Sequence, residues 1–144
     1  MSQQNYKNHR RFVPMFHYFL ALLIIATFIG SIVNLVESVE KSAGVYSASL
    51  IVAVSVALIF TFYYLRIFAL RAQDRAIRAE ENLRYFAKNG KLLDPRLTVR
   101  QIVGLRFASD GEFEALCERA ISEGLSEDEI KKAISNWRAD NYRV

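Results

Sequence analysis

Two uninterrupted apolar runs dominate the pattern along this chain. "FHYFLALLIIATFIGSIVNLV" covers residues 16–36 and "VYSASLIVAVSVALIFTFYYL" covers residues 45–65, and neither contains Asp, Glu, Lys or Arg. Each is about 20 residues long, the length at which an α-helix crosses roughly 30 Å of hydrocarbon. Two buried helices of this kind would leave a 144-residue chain with little to cover them. The pattern therefore predicts a membrane-spanning helical hairpin. The first run is too long for a signal peptide and no small-x-small cleavage pattern closes it, so it is read as a retained anchor.

After the second run the pattern changes without a break. "YYLRIFALRAQDRAIRAEENLRYFAKNG", residues 63–90, has no proline, and glycine only at its last position. Leu65, Ala69, Ala72, Ala76, Ala79, Leu83 and Phe86 alternate spacings of four and three, an apolar seam with a heptad period. Asp74–Arg78 and Glu80–Arg84 stand in the favourable i,i+4 order, worth about 0.2–0.5 kcal/mol each. "KNG" supplies a helix stop. One continuous helix over 45–89 is expected. Its seam requires a cover, either a second copy or the chain's own C-terminal helices at Phe113, Ile121, Ile134 or Trp137. The tail is the preferred cover because no further heptads follow.

Beyond "KLLDPR", three helix starts carry their own caps. Thr98 pairs with Gln101, Ser109 with Glu112, and Ser126 with Glu129. Leu97–Ile102 and Leu125–Ile130 are the apolar staples of the first and third. Phe113, Leu116, Cys117, Ala120 and Ile121 form one face, and Gly124 ends that helix. Ile130, Ala133, Ile134 and Trp137 form the next. The expected fold class is all-α: a transmembrane hairpin whose second helix extends into the cytoplasm, and a small C-terminal helical domain. The divisions are a basic tail 1–12, spans 13–38 and 45–70 joined by an outer turn 39–44, an extension 71–89, and a domain 90–144. At about 55 residues, that domain needs the extension as part of its core.

Charge sets the orientation. Lys7, Arg10 and Arg11 precede the first span, and Arg66, Arg71, Arg75 and Arg78 follow the second. Short flanks rich in Lys and Arg stay in the cytoplasm, which puts both termini inside. Tyr18, Tyr63 and Tyr64 suit the inner interface and Tyr46 the outer one. The four arginines are also candidate contacts for anionic lipid headgroups. Farther along, residues 66–106 carry ten basic against four acidic groups, and residues 107–144 five against nine. The EGLS turn between two helices invites a helix-turn-helix reading. Glu127, Asp128 and Glu129 at the start of the second helix would face phosphate, so nucleic acid is not an expected partner.

Small residues propose how the spans pair. Ala26, Gly30 and Asn34 recur every four residues in the first, and Ser49, Ala53 and Ala57 in the second. Folding about Lys41–Ser42 sets Ala26 against Ala57, Gly30 against Ala53, and Asn34 against Ser49. Structural pairing is preferred over a role for Asn34 and Glu37 along an ion path.

No catalytic set or cofactor motif is present: there is no phosphate loop, zinc spacing or Ser/His/Asp arrangement. His9 and His17 are read as interfacial polar residues. Cys117, the single cysteine, is expected to be a buried thiol.

Four stretches, "QNYKNHRRFVP", "RAQDRAIRAEENLR", "LTVRQIVGLRFASD" and "IKKAISNWRADNYRV", resemble an uncharacterised family of small bacterial membrane proteins known as a domain of unknown function. The resemblance implies a bacterial inner-membrane protein with two spans and a cytoplasmic helical tail, and implies no activity, cofactor or binding residue. The reading is a non-enzymatic, membrane-anchored interaction or scaffold module. Its expected contacts are anionic lipid headgroups and either a protein partner or further copies of itself. The rival is a small subunit of an oligomeric transporter or channel. An enzyme using the arginine-rich face lacks a nucleophile and an acid/base pair.

Overall fold

The computed structural model describes residues 4–9 and 11–140, so Arg10 of the basic tail lies outside the described residues. A π-helical stretch, Met15–Leu20, leads into α1 (Ala21–Glu40). It is followed by α2 (Val45–Asn89), α3 (Val99–Leu105), α4 (Phe113–Ser122) and α5 (Glu127–Ala133). Among the described residues there is no strand, and the all-α class holds. Helix α2 runs unbroken over Val45–Asn89, the span that a stretch without proline or internal glycine predicts. The chain forms two compact units: Phe12–Ala69, and Met1–Arg11 together with Leu70–Val144.

In the first unit, two helices are long and apolar enough to cross a membrane. Their large side chains stay outside, with Leu22 67% and Val54 59% exposed. The π-helical start follows Pro14, which has no N–H; the amides of Phe16 and His17 both donate to the Val13 carbonyl, at 3.1 and 2.9 Å.

The face that packs differs from the small-residue register. Ala26, Gly30, Asn34, Ser49, Ala53 and Ala57 are all exposed, and a Cβ added to Gly30 would meet nothing within 4 Å. Ile24, Ser31, Ala48 and Ser55 are buried instead, with Leu20, Phe28, Leu35, Val52, Val56 and Phe62 half-buried. Phe16 and Phe62 stack with centroids 4.6 Å apart. The contact is displaced by one residue on each helix, a rotation of about 100°. Ser31 donates to Phe28 O at 2.7 Å and Ser55 to Ile51 O at 2.8 Å. Each hydroxyl is satisfied by its own helix, so these serines serve as small residues, and the neighbouring Phe, Leu and Val side chains supply the contact area. Ser49 likewise donates to Tyr46 O at 2.7 Å and makes no bond to Asn34.

The second unit is built on a core of Ile77, Leu93, Leu97, Ile102, Leu105, Phe107, Phe113, Leu116, Cys117, Ala120, Ile130 and Ile134. Gly90, at φ +68°, ends α2 and donates to Phe86 O at 2.8 Å. The Thr98–Gln101 and Ser126–Glu129 capping boxes both form. Gln101 does more than cap. Its Nε2 donates to Ala120 O at 2.9 Å and Leu125 O at 3.0 Å, so this buried amide joins the start of α3 to the end of α4. Helices α3 and α5 meet at Gly104, where an added Cβ would lie 3.1 Å from Glu127 O.

The Ser109–Glu112 box forms only in part. Helix α4 begins at Phe113 with no side-chain cap. The Glu112 carboxylate accepts instead from the amides of Ser135 (3.1 Å) and Asn136 (3.0 Å). That draws the chain into an extended course at Ile134, so α5 stops at Ala133 and does not carry Trp137 on a helical face. Residues 136–138 then run antiparallel to 107–109, with Arg138 N donating to Phe107 O at 2.7 Å.

Candidate functional site

The extension of α2 turns Ile77, Glu81, Arg84 and Tyr85 toward the domain, positions spaced four and three or four apart on one helical face. Ala72, Ala76 and Ala79 are exposed, and Leu83 and Phe86 with them. The expectation that the tail covers the alanine seam is therefore corrected. The domain docks on the opposite face, because that face carries Ile77 and the ionic partners that the domain can satisfy.

Glu81 is the centre of that face, with its side chain only 6% exposed. Its carboxylate meets Arg84 Nη1 at 2.9 Å and Arg138 Nη1 at 3.5 Å. Arg84 also donates from Nε to Asp110 Oδ1 at 2.7 Å and from Nη2 to Ala108 O at 2.8 Å, and its guanidinium lies 4.5 Å from the Phe113 ring centroid. The i,i+4 pair Glu80–Arg84 is not made, because Arg84 is drawn into the domain by these acceptors. Asp74–Arg78 is not made either among the described residues.

Burial raises the Glu81 pKa in spite of its two arginine partners. The hydrogen bond from Arg84 lowers that of Asp110. Arg106 is 10% exposed at its side chain, 3.3 Å from the Asp140 carboxylate and 4.6 Å from the Phe107 ring centroid. Burial lowers its pKa. Gln73, Ala76, Ile77, Glu80, Glu81, Arg106, Arg138, Ala139 and Asp140 line a cleft of about 350 Å³. Its charges are largely committed to one another, the geometry of an ionic brace. Burial pushes the Cys117 thiol up to about 12, which leaves it a packing residue, as its place in the sequence suggested. No group of three or more His, Cys, Asp and Glu fit to hold a metal occurs among the described residues.

A second constellation was not foreseen from the sequence. Residues 4–9, part of the expected basic tail 1–12, pack on the domain. Tyr6 Oη donates to Asp128 Oδ1 at 2.7 Å, and Asp140 N donates to Gln4 Oε1 at 2.8 Å. His9 is buried, its ring 5.8 Å from both Phe107 and Trp137 and stacked on Tyr6. Its Nδ1 lies 2.6 Å from Tyr6 O, which fits an Nδ1–H donor. His9 is thus a core residue of the domain and not an interfacial one. The only hint in the sequence is an aromatic and an imidazole three apart, and a pair so common does not announce its partner. Arg71, Arg75 and Arg78 are exposed, and Arg66 is half-buried.

These observations define an all-α protein in which two long apolar helices accompany a small helical domain braced by internal ion pairs. The chain belongs to the family of unknown function DUF6526, whose model matches residues 1–144. No curated protein and no solved structure matches it.

Proposed function

We propose that this protein is a non-enzymatic, membrane-anchored interaction module of the bacterial inner membrane. The observation that carries the reading is the contrast of exposure. Helices of spanning length keep their large apolar side chains outside, while the accompanying domain buries its own. The hairpin anchors, both termini are cytoplasmic, and the domain presents a binding surface. Two features support that orientation. The lysines and arginines flank the inner ends of both spans. Residues 4–9 also pack on the C-terminal domain, and a membrane cannot lie between segments in contact. Arg66, Arg71, Arg75 and Arg78 then lie beside anionic headgroups, at about 1 kcal/mol each near the surface.

Cysteine labelling in intact cells tests the proposal. Ser42→Cys, in the turn between the spans, should react with an impermeant maleimide from outside. Ser122→Cys, on the domain surface, should react only after permeabilisation. External labelling at 122 would invert the layout, and quantitative release of the protein from membranes by alkaline carbonate would remove the anchor altogether.

A further inference from the structure

We infer that the exposed seam on the extension of α2 is the interface of a parallel homodimer, each copy presenting its seam to the other. The inference rests on the membrane-anchored reading and names the partner of that module. The seam is Ala72, Ala76, Ala79, Leu83 and Phe86, and the last two are 68% and 49% exposed. In heptad terms Ala76 and Leu83 occupy a, and Ala72, Ala79 and Phe86 occupy d. The domain docks through Ile77, Glu81, Arg84 and Tyr85, which are the b, f, b and c positions. It therefore covers the back of the helix and, among the described residues, leaves the a/d side exposed, with Ala76 and Glu80 at the rim of the cleft that Arg138, Ala139 and Asp140 also line.

Charge complementarity selects a second copy as the occupant. Arg75 falls at g and Glu80 at the following e. In a parallel two-stranded coil, g of one helix meets that e of the other, so two Arg75–Glu80 pairs flank the seam by symmetry. Both side chains are exposed, and neither makes an ion pair within its own chain among the described residues. Arg75 and Glu80 are five residues apart on one helix and do not face each other there. Alanines at a and d permit close approach of the two backbones. Anchoring supplies what a short seam lacks. Copies held in one membrane have their seams at one depth and in one direction, which sets the register and raises the effective concentration.

Disulfide trapping in native membranes tests the inference. The parent chain, whose only cysteine, Cys117, is buried, serves as the blank. Ala76→Cys and Ala79→Cys should form homodimers on mild oxidation, and Arg78→Cys, exposed at a c position, should not. Adding Arg75→Glu to Ala76→Cys should lower the dimer yield roughly threefold or more, and adding Glu80→Arg to that variant should restore it. Equal trapping at 76 and 78 overturns the seam. A charge reversal without effect, or a double reversal without rescue, overturns the parallel pairing. Adducts solely to another protein overturn the second copy as occupant. Alkaline extraction of the same membranes separates the two proposals. Protein that stays in the pellet yet fails to trap sinks the dimer alone, and protein that is released sinks the anchor.

Discussion

The two units of this protein answer opposite questions about where apolar surface goes. In the unit holding α3, α4 and α5, Leu105, Phe107, Ala108, Ala120 and Ile130 are wholly buried, and the Gln101 amide is bonded on both its nitrogen and its oxygen. In the hairpin, Leu22, Ile25, Val54 and Phe60 are more than half exposed, and the hydroxyls of Thr27, Ser31, Ser55 and Thr61 bond to their own helices. The first unit carries its solvent-avoiding interior within itself. The second leaves it to the surroundings, with its backbone polar groups paired within its own helices. Deletions of side-chain volume should therefore be costly in one unit and nearly silent in the other.

The largest effect is expected at Phe107. Phe107→Ala should cost about 3–5 kcal/mol, because the ring is fully buried and contacts His9 and Trp137. Denaturant titration of the detergent-solubilised protein, read by fluorescence of Trp137, the only tryptophan, measures this. Leu22→Ala in the hairpin should leave that midpoint unmoved. A comparable loss from Leu22→Ala would erase the distinction between the units.

Arg84→Ala comes next, at about 2–3 kcal/mol. It leaves Glu81 buried with one more distant arginine and leaves Ala108 O without its donor. Arg84→Lys should rescue only part of this, since one ammonium cannot reach Glu81, Asp110 and Ala108 O with the fork of a guanidinium. Full rescue by lysine would show that charge alone matters there.

The smallest effect belongs to pH. The folded pKa of Asp110 lies below its unfolded value of about 4, so its contribution is complete above that value. It is lost as pH falls through the folded pKa. Because the carboxylate is mostly exposed, the difference between parent and Asp110→Asn should stay under about 1 kcal/mol at neutral pH and vanish in acid. Glu81 acts with the opposite sign. Its pKa is raised by burial, so its ionisation opposes folding as pH rises through the carboxylate range. A parent-minus-Asn difference that grows on acidification would overturn the assignment to Asp110.

Local chemistry was legible in the sequence, and helix phase and long-range bonding were not. The two apolar runs, the unbroken course of α2, the glycine stop and the boxes at Thr98 and Ser126 each depend on residues within a few positions of one another. The register of the hairpin does not. Stripes through Gly30 and through Ser31 offer similar small side chains, and the choice between them is made by Phe28, Leu35, Val52 and Val56 on the neighbouring positions. Ile77 and Glu81 were passed over for the alanines beside them, because heptad spacing marks a seam without saying which partner uses it. Glu112 looked like a cap and became an acceptor for amides at 135 and 136, more than twenty residues away. His9 looked interfacial because its aromatic neighbours at 107 and 137 lie roughly a hundred residues or more away along the chain.

The docking of residues 4–9 has a bearing on biosynthesis. Gln4 bonds to Asp140 across 136 positions, and Tyr6 to Asp128 across 122. On a ribosome, the short segment emerges long before its partners exist. The whole hairpin is made in the interval, and the domain cannot close until residues near 140 have cleared the exit tunnel. Closing so long a loop in a free chain is entropically slow, though each doubling of length adds only about 0.6 kcal/mol. On the membrane-anchored proposal, an inserted hairpin would shorten the search by bringing residue 12 and residue 70 to the same side of the bilayer. On that proposal, insertion would act as a folding catalyst for the C-terminal domain, and a chain that misses the membrane should mature slowly, with Phe107 and Trp137 uncovered in the meantime.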